Sequence, residues 1–142
     1  MVVAAPERNI ALMREAFEIL QRGDLDACAE LLTEDFIINL PGLPEPLRGR
    51  EIWKLGVQSM LDGFSDLRIN IEDIFGAEDK VAVRVRFHGT HDGPFQGVPP
   101  THRPVTFTSI EIYRLAGDKI AEEWVSPDMM GLMAQISAPT PS

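Results

Sequence analysis

A change in hydrophobic period near residue 66 is the sequence feature that most restricts the fold of this chain. Before it, apolar residues recur at helical spacing, as Ile10, Met13 and Phe17 do. After it, segments such as "KVAVRVRFH" (residues 80–88) alternate apolar and polar residues with the period of a half-buried β-strand. Helices followed by an antiparallel meander predict an α+β domain, in which the helices cover one face of a curved sheet.

Turn and capping signals divide the two halves into elements. The sequence "RGD" ends the first helix, Asp24 caps a short second helix, and Gly49 precedes a third. One short strand, "DFIINL", follows the second helix and stops at "PGLPEP". The turns "GAED" and "AGD" join four longer strands into two hairpins. We expect Ser126 to cap a final helix with Pro127 in its first turn, and residues 138–142 to fray.

Length, charge and cysteine content limit the classes of function. The 142 residues predict a single domain, residues 1–142, with an ordered core over about 7–137. A net charge of −9 argues against nucleic acid and membrane as partners, because both favour basic surfaces. No apolar run could span a membrane, and the start "MVVAAPERN" lacks the features of a signal peptide. The single cysteine, Cys28, favours a cytoplasmic location, and its apolar helical setting indicates a packed thiol rather than a nucleophile.

The connection "GTHDGPFQGVPPTHRPV" (residues 89–105) is longer than the two to five residues of an ordinary hairpin turn. Its glycines permit unusual backbone angles, while its prolines restrict the rest of the segment. A long, stiffened connection between two good strands is typical of the rim of a binding site. We expect Phe95 to act there as an apolar gate, with His91 fixed at the strand end.

Several segments form a recognisable set, namely "GDLD", "LLTEDF", "LRGRE", "GTHDGPFQGVPPTHRPV" and "DKIAEEW" with "DMMGLMAQI". Together they resemble the SnoaL-like polyketide cyclase family, which belongs to the nuclear-transport-factor-like superfamily. The resemblance covers roughly residues 7–137 and implies a cone-shaped α+β barrel. In such a fold, N-terminal helices pack on a strongly curved, mainly antiparallel sheet, and a short C-terminal helix follows. The resemblance also implies ring closure by intramolecular aldol condensation without metal or cofactor.

The family's catalytic positions hold different residues in this chain. By resemblance, Val125 stands where the family has its acid/base aspartate, and Glu111 where it has a histidine. The family's asparagine corresponds to Ile38, or to Asn39 if the register slips by one residue. A related steroid isomerase has its carboxylate base at a position that corresponds to Leu40. Acid/base chemistry would therefore have to use other groups, and Val125 favours a protein that binds without catalysis.

Strand alternation predicts an acidic pair in the second hairpin. A three-residue "AGD" turn pairs Leu115 with Lys119, and therefore Glu111 with Glu123, whose Cβ atoms would lie about 5 Å apart. A two-residue turn would send one of the glutamates to the opposite face. The residues predicted to point into the cone from the first strand of this hairpin are Val105, Phe107, Ser109, Glu111 and Tyr113.

Two neighbouring carboxyl groups in an apolar cavity cannot both ionise readily. The pair therefore predicts a general acid beside a general base near neutral pH. Two alternatives remain open from the sequence. In one, Glu123 forms a structural ion pair with Arg84, Arg86 or Arg103. In the other, Glu122 faces the cavity and Glu123 faces the solvent.

Histidines and aromatic residues complete the set of candidate site residues. His91 either transfers protons at the cavity mouth or holds the long connection in shape. His102 is expected in solvent, and three histidines without ligand spacing predict no metal site. Asp128 is expected mainly to serve the N-terminus of the last helix. The side chains predicted to contact a ligand are Trp53, Asn39, His88, Phe95, Phe107, Tyr113, Val125 and Asp128.

These observations favour a small enzyme that uses no cofactor. It would act on a hydrophobic carbonyl or hydroxyl compound by acid/base catalysis through the two glutamates and His91. The alternative is a binding protein that holds an apolar small molecule in the same cavity. A homodimer through the outer sheet face is also expected, because that face is predicted to carry an apolar patch. The patch consists of Ile110, Ile112, Ile120 and Trp124.

Overall fold

The computed structural model describes residues 5–137, so the predicted fraying of residues 138–142 lies outside the described part of the chain. No helix within residues 5–137 is long and apolar enough to cross a membrane. The elements follow the predicted order of helices, strands and a final helix. They are α1 (Ala5–Gln21), α2 (Leu25–Ala29), β1 (Leu32–Asn39), β2 (Leu47–Arg48), α3 (Arg50–Gly63), β3 (Arg68–Ala77), β4 (Lys80–Thr90), β5 (Pro104–Ala116), β6 (Lys119–Pro127) and α4 (Met129–Ser137).

The six strands form one open sheet in the order β2-β1-β6-β5-β4-β3. Strand β1 runs parallel to β6, and all other neighbours are antiparallel. The predicted α+β class and the mainly antiparallel sheet are therefore confirmed. The two-residue strand β2 was not predicted from the sequence. It forms because the chain returns after "PGLPEP" and pairs Leu47 with Ile38.

The inner face of the sheet carries the core, and the helices cover it. Strand β5 shows the alternation most clearly, because its inward residues from Val105 to Leu115 are buried while Ile110 and Ile112 are exposed. This confirms the predicted faces of the strand. Helix α1 contributes Met13 and Phe17 to the same core cluster. A second cluster, formed around Phe64, Phe95 and Leu132, fills the end of the sheet beneath α4.

The hairpin of β5 and β6 differs from the predicted register. Its turn has two residues, since Ala116 pairs with Lys119 and Leu115 with Ile120. A β-bulge at Ala121 then inserts one unpaired residue, after which Arg114 pairs with Glu122. The predicted three-residue turn and the direct pairing of the two glutamates are therefore wrong. Ile120 faces the core rather than the outer surface, because it precedes the bulge and shares the face of Leu115.

The start of the final helix also lies later than predicted. Ser126 and Pro127 belong to β6, where they pair with Ile110 and Ser109. Asp128, rather than Ser126, caps α4, because its Oδ1 accepts a hydrogen bond of 2.9 Å from the backbone N–H of Gly131. The strand continues through the predicted cap because its ladder with β5 remains intact up to that point.

Candidate active site

A cavity of about 790 Å³ lies between the helices and the inner face of the sheet. Its volume falls within the range that suits a drug-sized ligand. Helices α1 and α3 form one wall, with Phe17 and Trp53 among their contributions, and strands β5 and β6 form the other. Most lining side chains are apolar. The predicted ligand contacts that line this cavity are Trp53, Phe95, Phe107, Tyr113 and Val125.

Glu111 and Glu123 bring two carboxyl groups to the wall of this otherwise apolar cavity. Each residue is only 7% exposed. In the ladder Glu111 pairs with Val125, and Glu123 pairs with Tyr113. The glutamates are therefore diagonal neighbours, at a typical spacing of about 7–8 Å rather than the predicted 5 Å. Both side chains nevertheless face the cavity. The two-residue turn alone would have turned Glu123 to the outer face, and the extra residue at the bulge turns it back to the inner face.

Tyr113 determines the immediate environment of Glu111. Its hydroxyl donates a hydrogen bond of 2.5 Å to Oε1 of Glu111, and Phe17 packs edge-on against its ring with centroids 6.1 Å apart. Burial raises the pKa of Glu111 above its ordinary value. The hydroxyls of Tyr113 and Ser109 act in the opposite direction, since they stabilise the carboxylate. Of the two, only the Tyr113 hydroxyl forms a hydrogen bond to this carboxyl group, because the Ser109 Oγ has no hydrogen-bond partner among the described residues.

Glu123 has a different environment, although it lies one strand away. Its carboxyl group accepts no hydrogen bond from the residues that the structure describes. Burial first, and the charge of Glu111 second, raise the pKa of Glu123 to about 8. A carboxyl group with this pKa retains its proton at neutral pH, so the cavity can hold an acid and a base at the same time.

Neither structural alternative for the acidic pair agrees with the geometry. Arg84 and Arg86 form ion pairs with Asp73 and Glu72 across β3 and β4, at 2.7 and 3.0 Å. Arg103 donates to the backbone carbonyl of Gln135. Glu122 points away from the cavity and binds Arg114 at 3.0 Å. Glu123 is therefore the inward glutamate of "AEEW".

His91 lies inside the long connection rather than at the cavity. The side chain is fully buried and packs on Phe64, with ring centroids 5.5 Å apart. Its Nδ1 accepts a hydrogen bond of 3.2 Å from the backbone N–H of Thr101 and lies 2.9 Å from the Thr101 hydroxyl. The residue does not line the cavity, so this geometry supports the alternative in which His91 shapes the connection. A catalytic role at the cavity mouth is not supported, because the connection folds over the ring.

Three other predicted ligand contacts lie away from the cavity. His88 is on the outer face of β4, where its Nδ1 lies 3.2 Å from the Thr106 hydroxyl. Asn39 donates to Oε2 of Glu122 and to the carbonyl of Glu123, and so ties β1 to β6. Asp128 serves as the helix cap. In each case the side chain points away from the cone because of strand alternation or capping geometry.

Phe95 is a packed residue that also lines the cavity. It is 5% exposed, and its ring contacts Phe64 with centroids 5.2 Å apart. The connection bends inward there because Gly93 approaches the carbonyl of Asp62, where any Cβ would lie 1.9 Å from the oxygen. Phe95 is therefore an inward-facing member of the second core cluster, and its action as an apolar gate stays a prediction.

Cys28 and helix α1 add cavity residues that were assigned only to the core from the sequence. The Cys28 thiol is buried, and burial together with the charge of Glu123 raises its pKa to about 12. This agrees with a packed thiol. Met13 and Phe17 recur at the helical spacing that is typical of core residues, and their side chains also line the cavity. No cluster of three or more potential metal ligands occurs within residues 5–137.

Comparison with known proteins gives one consistent family. The family profile described as SnoaL-like polyketide cyclase matches residues 10–136. The aklanonic acid methyl ester cyclase DnrD of Streptomyces peucetius is 29% identical, and the match covers 94% of each chain. The cyclase DauD of Streptomyces sp. strain C5, which acts on the same ester, is also 29% identical, with 94% of this chain and 84% of that protein covered.

Solved structures agree with the fold. A protein from Jannaschia sp. CCS1, described as a SnoaL-like polyketide cyclase, superposes with a TM-score of 0.89 at 26% identity, and the match covers 99% of both chains. IdmH of Streptomyces antibioticus, described as a polyketide cyclase, has a TM-score of 0.79 at 33% identity. That match covers 92% of this chain and 99% of IdmH.

Proposed function

Because the chain belongs to the SnoaL-like polyketide cyclase family, we propose that it closes a ring in a hydrophobic carbonyl compound by acid/base catalysis. The catalytic groups are the carboxyl groups of Glu111 and Glu123, and no cofactor takes part. The observation that carries this proposal is the pair of buried carboxyl groups on one wall of an apolar cavity. Such a pair is costly to bury, and neither glutamate has an ion-pair partner within residues 5–137 to explain it.

The carbon–carbon bond-forming step of an intramolecular aldol reaction suits this pair because its proton transfers balance. One carboxylate removes a proton from the carbon next to a carbonyl group, and that carbon attacks a second carbonyl carbon. The other carboxyl group gives its proton to the oxygen of the attacked carbonyl. The product is an isomer of the substrate, so the reaction needs neither an oxidant nor a group donor.

The charges around the cavity favour an uncharged substrate. Arg22 is the one cationic side chain among the described residues that line it. A substrate carboxylate near Glu111 would therefore meet negative charge, with Arg22 as the one cation of the described lining. A methyl ester, as in the compound named for DnrD and DauD, avoids this repulsion.

A non-catalytic binding protein is the second candidate, and Val125 supports it. This apolar residue lines the cavity at the position where the resemblance expects an acid/base aspartate. The cavity could then hold the same class of compound without changing it. The two candidates differ in whether the carboxyl groups are needed for turnover or only for the shape of the cavity.

An assay with aklanonic acid methyl ester distinguishes these candidates. For the enzyme, we expect an isomeric cyclised product, and Glu111→Gln or Glu123→Gln should each lower kcat by about 100-fold or more. Glu122→Gln is the matched control, since this neighbour lies outside the cavity. Binding without turnover, or equal turnover by all three variants, would contradict the catalytic proposal.

We also propose that the protein forms a homodimer through the outer face of the sheet and resides in the cytoplasm. One cross-strand row on that face is apolar, and it joins Phe75, Ala82, Ile112 and Trp124. Phe75 is 65% exposed and Ile112 is 39% exposed, so the row presents contiguous apolar surface of the kind that marks an interaction site. A two-fold axis on this row would bury the same residues of both chains. The cytoplasmic location rests on the single unpaired cysteine.

A further inference from the structure

Tyr113 contacts the two catalytic candidates in unequal ways. Its phenolic group has one hydrogen, which it donates to Oε1 of Glu111. It lies directly opposite Glu123 in the ladder, yet it donates nothing to the carboxyl group of that residue. Phe17 packs edge-on against the ring and helps to fix its direction. One glutamate of the pair therefore has a strong donor, and the other has none among the described residues.

We propose that Tyr113 is a positioning residue that makes Glu111 the general base and leaves Glu123 as the general acid. The inference rests on the proposed function, because it assigns roles within the same acidic pair. A hydrogen bond donated to a carboxyl oxygen favours the ionised form, so Glu111 loses its proton first. The negative charge of Glu111 then opposes ionisation of Glu123, which keeps its proton for the carbonyl oxygen of the substrate.

The other groups around the pair act in the same direction or not at all. From β5, the Ser109 hydroxyl has no hydrogen-bond partner among the described residues, so Tyr113 is the donor that acts on Glu111. From α2, Cys28 stays protonated because its pKa is raised to about 12. Helices α1 and α3 present Phe17 and Trp53, which do not titrate, and the one carboxyl group that α3 adds to the lining is Asp62, which accepts a hydrogen bond from Gln58. The pKa of Tyr113 is itself raised well above its ordinary value by burial and by the neighbouring carboxyl groups, so its hydroxyl remains a donor.

The assignment gives each proton in the ring closure a defined place. The carboxylate of Glu111 takes the proton from the substrate carbon, and Glu123 gives its proton to the carbonyl oxygen. After the step Glu111 is protonated and Glu123 is ionised. The site returns to its starting state when one proton passes from Glu111 to Glu123, so no proton is gained or lost over the cycle.

A carbon-13 NMR titration of the ligand-free protein, labelled at the glutamate carboxyl carbons, tests the assignment without any substrate. Glu111→Gln and Glu123→Gln identify the two signals. We expect the Glu111 signal to titrate at lower pH than the Glu123 signal. In Tyr113→Phe the apparent pKa of Glu111 should rise by about one to two units, the loss expected for one hydrogen bond to a charged group. Thr108→Val, on the outer face of the same strand, should leave both titrations unchanged.

Two results would overturn the inference. One is a Glu123 signal that titrates before Glu111 in the unmodified protein, which tests the order even if Tyr113→Phe fails to fold. The other is a folded Tyr113→Phe variant in which the pKa of Glu111 has not moved. Absence of cyclase activity would contradict the proposed function but would leave the titration order as found. If activity is present, the ascending limb of the pH–rate profile of Tyr113→Phe should shift to higher pH, by the same amount as the pKa of Glu111 measured by NMR.

Discussion

The stability of this protein should fall as the pH rises through neutrality, and Glu123 should be a main cause. Its carboxyl group has an ordinary pKa of 4.5, which burial and the charge of Glu111 raise to about 8. Between these values the unfolded chain has lost the proton while the folded chain still holds it. The free energy of unfolding must therefore decrease with rising pH in this window. Below and above the window the contribution of Glu123 should not change with pH.

The size of the effect follows from the width of the window. About 3.5 pH units separate the two pKa values, and each unit corresponds to about 1.4 kcal/mol. Glu123 alone would then account for a loss of about 5 kcal/mol between pH 4.5 and 8. This is a large share of the 5–15 kcal/mol that typically stabilises a domain. Glu111 adds a contribution of the same sign, because its pKa is also raised.

Urea unfolding followed by tryptophan fluorescence, repeated from pH 5 to pH 9, measures this slope. Glu123→Gln removes the titrating group with little change of shape. The slope of its unfolding free energy against pH should therefore be shallower than that of the unmodified protein by about 1.4 kcal/mol per pH unit, the contribution of one proton. Glu122→Gln is the control, because that carboxyl group is paired with Arg114 outside the cavity. If Glu123→Gln kept the slope of the unmodified protein, the account of a protonated carboxyl group in the cavity would be refuted.

Three further outcomes follow from the packing. Phe95→Ala should lower the free energy of unfolding by about 3–5 kcal/mol, because Phe95 is packed against Phe64; a thermal melt that hardly changes would support a gate instead. His91→Ala should speed hydrogen exchange of the amides in residues 91–103, and equal protection in both proteins would count against its role in holding the connection. Ile112→Asp should convert the proposed dimer to a monomer of 15.8 kDa by light scattering, whereas a monomeric unmodified protein would remove the basis of that proposal.

The faces of the strands could be predicted from sequence because they depend on a period of two. Val105, Phe107 and Tyr113 alternate with polar or exposed positions over a long strand, so no distant contact is needed to orient them. The same local logic identified the helices, whose apolar stripes recur at helical spacing. The order of the elements and their approximate limits therefore follow from short-range patterns.

The burial of His91 and the residue at which α4 begins could not be predicted in the same way. The ring of His91 is buried because the connection folds back, with the backbone N–H of Asp92 bound to the carbonyl of Gly63. That contact joins segments far apart in the sequence and has no periodic signal. The cap of α4 is Asp128 and not the predicted Ser126, because Ser126 remains paired with Ile110 in the sheet. Both differences arise where a tertiary contact competes with a local preference.

The bulge at Ala121 explains how an incorrect register still gave the correct face for the acidic pair. A three-residue turn and a two-residue turn followed by one inserted residue have the same parity, so Glu123 faces inward in either case. They differ in the neighbour that stands opposite. In the predicted register Glu111 would face Glu123 directly, whereas the bulge places Tyr113 opposite Glu123 and leaves the glutamates diagonal. The hydrogen bond from Tyr113 to Glu111 joins two residues on the same face of β5 and is therefore independent of the register. The bulge adds that Tyr113 also stands directly opposite Glu123. Because the phenol donates to only one of the two carboxyl groups beside it, the two glutamates have unequal tendencies to ionise.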